Sequence, residues 1–130
     1  MKVLALDYGP ARTGVAVTDP TGTLARPLGT VERVSEPDGF AKLLDVIRIE
    51  EPEKVVVGMP LTLRGERGEQ ARTTERFVES LRDVLEVPVE TYDERFTTTL
   101  AGREGVATED ARAAAHLLSS YLEWSSRGAR

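Results

Sequence analysis

The apolar residues of this chain change their spacing partway along it, and that change restricts the fold more than any other feature. The first third carries three short runs of strand type. Residues 2–7 hold Val3-Leu4-Ala5-Leu6, apolar on both faces, and stop at Asp7-Tyr8-Gly9-Pro10. Gly14 to Thr18 forms a second run, and residues 23–34 return after Asp19-Pro20-Thr21-Gly22, where Pro and Gly suit a type I turn. Runs joined this closely predict an antiparallel meander, with the first strand central and the third, which contains Pro27, at the sheet edge.

Helical spacing then takes over. Phe40, Leu43, Leu44 and Ile47 fall at i, i+3, i+4 and i+7, which predicts a helix over 38–50 that Pro52 stops. Val55-Val56-Val57-Gly58 reads as a parallel strand buried on both faces. Phe77, Val78, Leu81, Val84 and Leu85 mark a second helix ended by Pro88, and Val89 to Tyr92 a fifth strand. A last helix starts near Thr108 as N-cap and carries Ala114, Leu117, Leu118, Tyr121 and Leu122 on one stripe. The order β-β-β-α-β-α-β-α predicts an α/β fold: a mixed five-stranded sheet, three strands antiparallel and two parallel, with helices on both faces. At 130 residues the chain is the size of one domain, expected over 1–124 with 125–130 as a tail.

Composition narrows the chemistry. There is no cysteine, so thiolate metal sites, clusters and cysteine nucleophiles are excluded and any metal must be held by oxygen. The net charge of −5 argues against coating nucleic acid by bulk electrostatics, while leaving room for a local patch. Of 17 basic residues only Lys2, Lys42 and Lys54 are lysine, which leaves 14 arginines, the residue that forks onto phosphate. The first apolar run is too short for a signal peptide or membrane span, so a cytoplasmic protein is expected.

Open α/β sheets place their sites beyond the carboxyl ends of the strands. Three acidic positions fall there. Asp7 ends the first strand; Asp93-Glu94-Arg95 follows the fifth; Asp110 lies in line with the core stripe of the last helix, where a charge asks for a partner. Taken alone, Asp7 reads better as a turn residue and the triplet as a solvated strand end, while Asp110 is equally well a helix-dipole residue. Together they form an oxygen donor set suited to Mg²⁺ or Mn²⁺. Two such ions roughly 4 Å apart would clamp the attacking and leaving oxygens of a phosphodiester. The loop after the fourth strand adds Arg64 and Arg67 near the same edge, as phosphate partners or as a plain polar connection. His116 has no second His or Cys nearby and receives no role, and Met59 and Trp124 read as packing.

Four spaced segments carry a family resemblance over nearly the whole chain: Leu6-Asp7-Tyr8-Gly9 with Arg12-Thr13-Gly14-Val15-Ala16, then Gly58-Met59-Pro60-Leu61, then Asp93-Glu94-Arg95-Phe96-Thr97-Thr98, then Asp110 leading into Ala114-Ala115 and Leu118 to Leu122. The chain resembles the YqgF/RuvX family, named first as Holliday junction resolvases and now regarded as pre-16S rRNA nucleases. The resemblance implies an RNase H-like fold, a distant relation to the junction resolvase RuvC, and trimming of the 5′ end of 16S rRNA precursors. It implies Asp7, Glu94 and Asp110 as catalytic metal ligands, with Asp93 in reserve for Glu94. Arg95 is then a phosphate or structural partner, and Arg12, Arg64, Arg67 and Arg103 join it as candidate contacts to nucleic acid. Between Thr99 and Asp110 the chain departs from the family pattern, since relatives carry a longer, more basic loop and here Arg103 is the single basic residue. Single-stranded RNA is therefore expected ahead of a DNA junction, with a monomer or homodimer and no membrane contact. Two rivals stand beside this reading. A sugar kinase or actin-like ATPase shares the Asp7-Tyr8-Gly9 and Gly14 pattern but needs two such domains. A non-catalytic RNA-binding module would have no reason to keep all three acids.

Overall fold

A computed structural model describes residues 1–60, 68–94 and 106–126, with side chains of 106–109 excepted. Among the described residues, five strands and three helices follow one another as β1 (Val3–Asp7), β2 (Arg12–Thr18), β3 (Ala25–Glu32), α1 (Pro37–Glu50), β4 (Lys54–Met59), α2 (Glu69–Val84), β5 (Val89–Asp93) and α3 (Val106–Ser126). The sheet order is β3-β2-β1-β4-β5. β1 to β3 pair antiparallel, and β4 lies parallel to both β1 and β5, so the mixed sheet expected from the sequence is the one observed. β1 is central, and β3 with Pro27 is an edge strand.

Side-chain alternation sorts the core into two layers. Leu4, Leu6 and Tyr8 join Val15, Val17, Val55 and Val57 beneath Leu43 and Ile47 of α1 and Phe77, Val78 and Leu81 of α2. Val3, Ala5, Ala16, Val56 and Tyr92 face the other way, under Ala114, Leu117, Leu118 and Tyr121 of α3. Tyr8 stacks on Phe77 with ring centroids 4.5 Å apart, which pins the carboxyl end of β1 to α2. No helix among the described residues is long and apolar enough to cross a membrane.

The boundaries differ from the sequence expectation where polar residues join or leave the ladder. β2 begins at Arg12 rather than Gly14, because Arg12 and Thr13 pair through backbone with Glu32 and Val31 whatever their side chains. β3 starts at Ala25 rather than residue 23. Asp19 accounts for this: its carboxylate accepts from the N–H groups of Thr23 (2.9 Å) and Leu24 (3.1 Å) and from the Thr21 hydroxyl (2.6 Å), so those residues close the turn. The bonds hold the Asp19 carboxyl down to about 2. The turn itself closes as expected, with Gly22 N–H donating to Asp19 O at 2.9 Å. At the far end of β3, Arg33 takes a left-handed φ of 51° and ends the strand. α3 starts at Val106, two residues before the expected cap, so Thr108 lies inside the helix. Val84, placed on the apolar stripe of α2, is 54% exposed because it is the last helical residue and the stripe turns away from the sheet there.

Candidate active site

The two-layer alternation also decides which polar residues meet. In β1, Val3 and Ala5 face α3, so Asp7 does as well. In β5, Tyr92 faces α3; Asp93 therefore turns to the opposite face, and Glu94, just past the strand end, returns to the side of Asp7. The two carboxyl groups share a hydrogen bond. Asp110 enters from α3, the helix that covers this layer.

Two glycines make the approach of these acids feasible. Gly14 pairs with Asp7 in the β1–β2 ladder, and a Cβ on it would collide with the backbone carbonyl of Asp110, so α3 rests directly on β2 beside Asp7. Gly58 follows Val57, the β4 partner of Leu6. A Cβ there would lie 2.6 Å from Glu94 Oε2 and 2.8 Å from its Cγ, so the missing side chain of Gly58 is the space Glu94 fills. Sequence reasoning includes both glycines in the family segments but misses this role. Its only sequence signal is that each glycine interrupts a strand, which marks a close approach.

The electrostatics follow from burial and like charge. Burial pushes the Asp7 carboxyl up, and the Asp110 charge adds to this, while the hydrogen bond from Glu94 opposes both. Glu94 is pushed up to about 7, first by burial and then by the charge of Asp7, the bond to it, and the charge of Asp93. Below about pH 7 Glu94 therefore keeps its proton and donates it to Asp7. Asp110 has a different partner: Arg12 Nε donates to its Oδ2 at 2.8 Å, in an ion pair whose two side chains are 38% and 29% exposed. Arg12 lies two residues before Gly14 on β2, which puts it on the α3 side of the sheet.

The expected site residues thus fall into three groups. Asp7 and Glu94 are in contact, Asp110 stands near enough to act on Asp7 by charge, and Arg12 holds Asp110. Asp93 closes β5 opposite Met59, and its charge adds to the rise of Glu94. Arg64, Arg67, Arg95 and Arg103 lie outside the described residues. Among the described residues no three acidic or imidazole side chains already converge as a ready-made cation cage. The donor chemistry nevertheless fits a hard divalent cation: the groups are all carboxylates, two of them are desolvated and proton-sharing, and a cation would relieve the repulsion that raises both.

Comparison with known proteins identifies the family and the fold. A model of the RuvX family, described as Holliday junction resolvase, matches residues 1–124. A protein of Sulfurihydrogenibium sp. named as a candidate pre-16S rRNA nuclease is 39% identical over 132 residues, covering 94% of this chain and 90% of that protein. A Roseiflexus sp. protein of the same name is 42% identical over 102 residues, covering 78% of this chain and 72% of its own. Among solved structures, Thermus thermophilus RuvC in complex with a Holliday junction superposes with a TM-score of 0.62 at 20% identity, over 98% of this chain and 96% of that one, a likeness of fold. Through the match over residues 1–124 and the 39% identity over 94% of its length, the chain belongs to the RuvX family.

Proposed function

We propose that this protein is a divalent-metal-dependent nuclease that hydrolyses phosphodiester bonds and processes the 5′ end of pre-16S rRNA during ribosome biogenesis in the cytoplasm. The observation that carries the reading is the half-buried Asp7–Glu94 carboxyl pair at the carboxyl edge of the sheet, with Asp110 facing it from α3. Asp7, Glu94 and Asp110 are the residues that would hold Mg²⁺ or Mn²⁺, with Asp93 in reserve. A divalent ion bound there supplies a water of lowered pKa and a positive charge for the phosphate oxygens. The chain's own part is to orient that charge. Asp7 is fixed by the central strand, Glu94 by the gap at Gly58, and Asp110 by the seat of α3 on Gly14. Arg12, Arg64, Arg67, Arg95 and Arg103 are the candidate phosphate contacts, and residues 1–124 the single domain that carries the activity.

A second reading, resolution of DNA four-way junctions, is favoured by the description of the matching family. One panel separates the two: cleavage of single-stranded RNA, pre-rRNA ends, single-stranded DNA and a four-way junction, each with Mg²⁺ and with Mn²⁺. Cleavage of RNA ends, lost by at least about a hundredfold in Asp7→Asn with the circular dichroism spectrum unchanged, is the expected result. No cutting with either metal, or equal cutting by the Asn variant, removes catalysis from this site.

A further inference from the structure

We propose that Arg12 is a positioning residue that couples metal to substrate: its guanidinium occupies Asp110 until a phosphate of the bound strand draws it away, which frees that carboxylate for the divalent cation. The inference rests on the metal-dependent reading of the site. The ion pair is made through Nε alone, at 2.8 Å to Oδ2. A guanidinium has five N–H donors, and the outer two nitrogens of Arg12 have no other partner among the described residues. The side chain is 38% exposed at the open edge of the sheet, so those outer donors can be reached from solvent. Their planar fork matches a phosphate, and a phosphate competes with a carboxylate for it.

The same cation opposes metal binding. A positive charge bonded to one oxygen of Asp110 at 2.8 Å repels a second cation at that carboxylate. Anionic substrate and cationic metal thus each bind better once the other is present. This coupling is reciprocal by necessity, and for contacts of this kind amounts to about tenfold. Asp110 cannot evade the competition by moving as a whole, because its backbone carbonyl is seated against Gly14.

The test is Mn²⁺ affinity by isothermal titration on the full chain, with and without a short 2′-O-methyl phosphorothioate RNA that resists cleavage. For the wild type the strand tightens Mn²⁺ binding about tenfold. Arg12→Ala binds Mn²⁺ about as tightly without the strand as the wild type does with it, and the strand adds nothing further. Arg12→Lys, a point charge without the fork, retains part of the coupling. Asp110→Asn, read in parallel with circular dichroism to confirm folding, loses the coupling too. If Arg12→Ala binds free Mn²⁺ no more tightly than the wild type, or the strand still tightens it to the same degree, the coupling role is overturned while the metal site stands. If the wild type binds no Mn²⁺ under any condition, the metal-dependent reading falls and this inference falls with it.

Discussion

A carboxyl that keeps its proton to about pH 7 inside a folded protein, and titrates near 4.5 in an unfolded chain, makes stability depend on pH in a definite direction, and Glu94 is such a group. Between those two values the native state binds more protons than the unfolded one, so stability falls as pH rises through the window. The free protein is therefore expected to lose roughly 2 kcal/mol between about pH 4.5 and pH 7.5, a value already reduced for the partial solvent access of the group. Asp7, raised for the same reason, adds to the slope in the same direction. Glu94→Gln should flatten the curve in urea denaturation measured across that range. A slope of unchanged size in the variant would place the proton elsewhere. Mn²⁺ affinity should run the opposite way, strengthening as pH rises through 7, because the ligands must be deprotonated to bind. Which of the two acids after β5 meets Asp7 was open in the sequence, since adjacent strand residues face opposite ways and nothing local fixes the phase. Tyr92 packed under α3 fixes it, and that contact spans far-apart parts of the chain.

At the scale of elements, the two glycines beside Asp7 have separable roles. Gly14→Ala would drive a methyl into the Asp110 carbonyl, and a helix backbone has no room to yield unless α3 moves. A loss of about 2–3 kcal/mol is expected by urea denaturation, together with loss of cleavage. Gly58→Ala presses instead on the Glu94 side chain, which can rotate. That variant should keep its stability within about 1 kcal/mol and still lose most activity, because a carboxylate displaced by about an ångström no longer converges with Asp7. Equal stability losses in the two variants would show that the two glycines do the same job. β1, β4 and the stripes of the helices are legible because a strand buried on both faces and a helix buried on one write their burial directly into apolar spacing. The start of β2 at Arg12, the late start of β3 and the early start of α3 were not legible. They depend on backbone pairing, on the capping carboxylate of Asp19 and on the helix's own hydrogen bonds, none of which needs an apolar side chain.

For the molecule as a whole, a chain of net charge −5 cannot hold nucleic acid by its overall field, so the proposed binding calls for a few local arginines. If Arg12, Arg64, Arg67, Arg95 and Arg103 each meet one phosphate, the logarithm of affinity for single-stranded RNA should fall with the logarithm of salt at a slope of about −3.5. Fluorescence anisotropy on Asp7→Asn, which leaves the strand uncut, measures it. A slope steeper than about −6 would indicate the longer duplex footprint that a junction requires. Light scattering gives the companion result: a trimming enzyme acting on one strand needs a single chain of 14.2 kDa, whereas symmetric cutting of a junction calls for two. The spacing of the three acids along the chain carries a consequence in time. Asp7 emerges early in synthesis, Glu94 late, and α3 with Asp110 last of all. Until α3 has been made, the layer of Val3, Ala5, Ala16 and Val56 has no cover, and a nascent or prematurely stopped chain has neither a closed core nor a third carboxylate. For the nuclease proposed above, the site is thus completed only when α3 folds onto the sheet, so a closed core and competence to cut arrive in the same step.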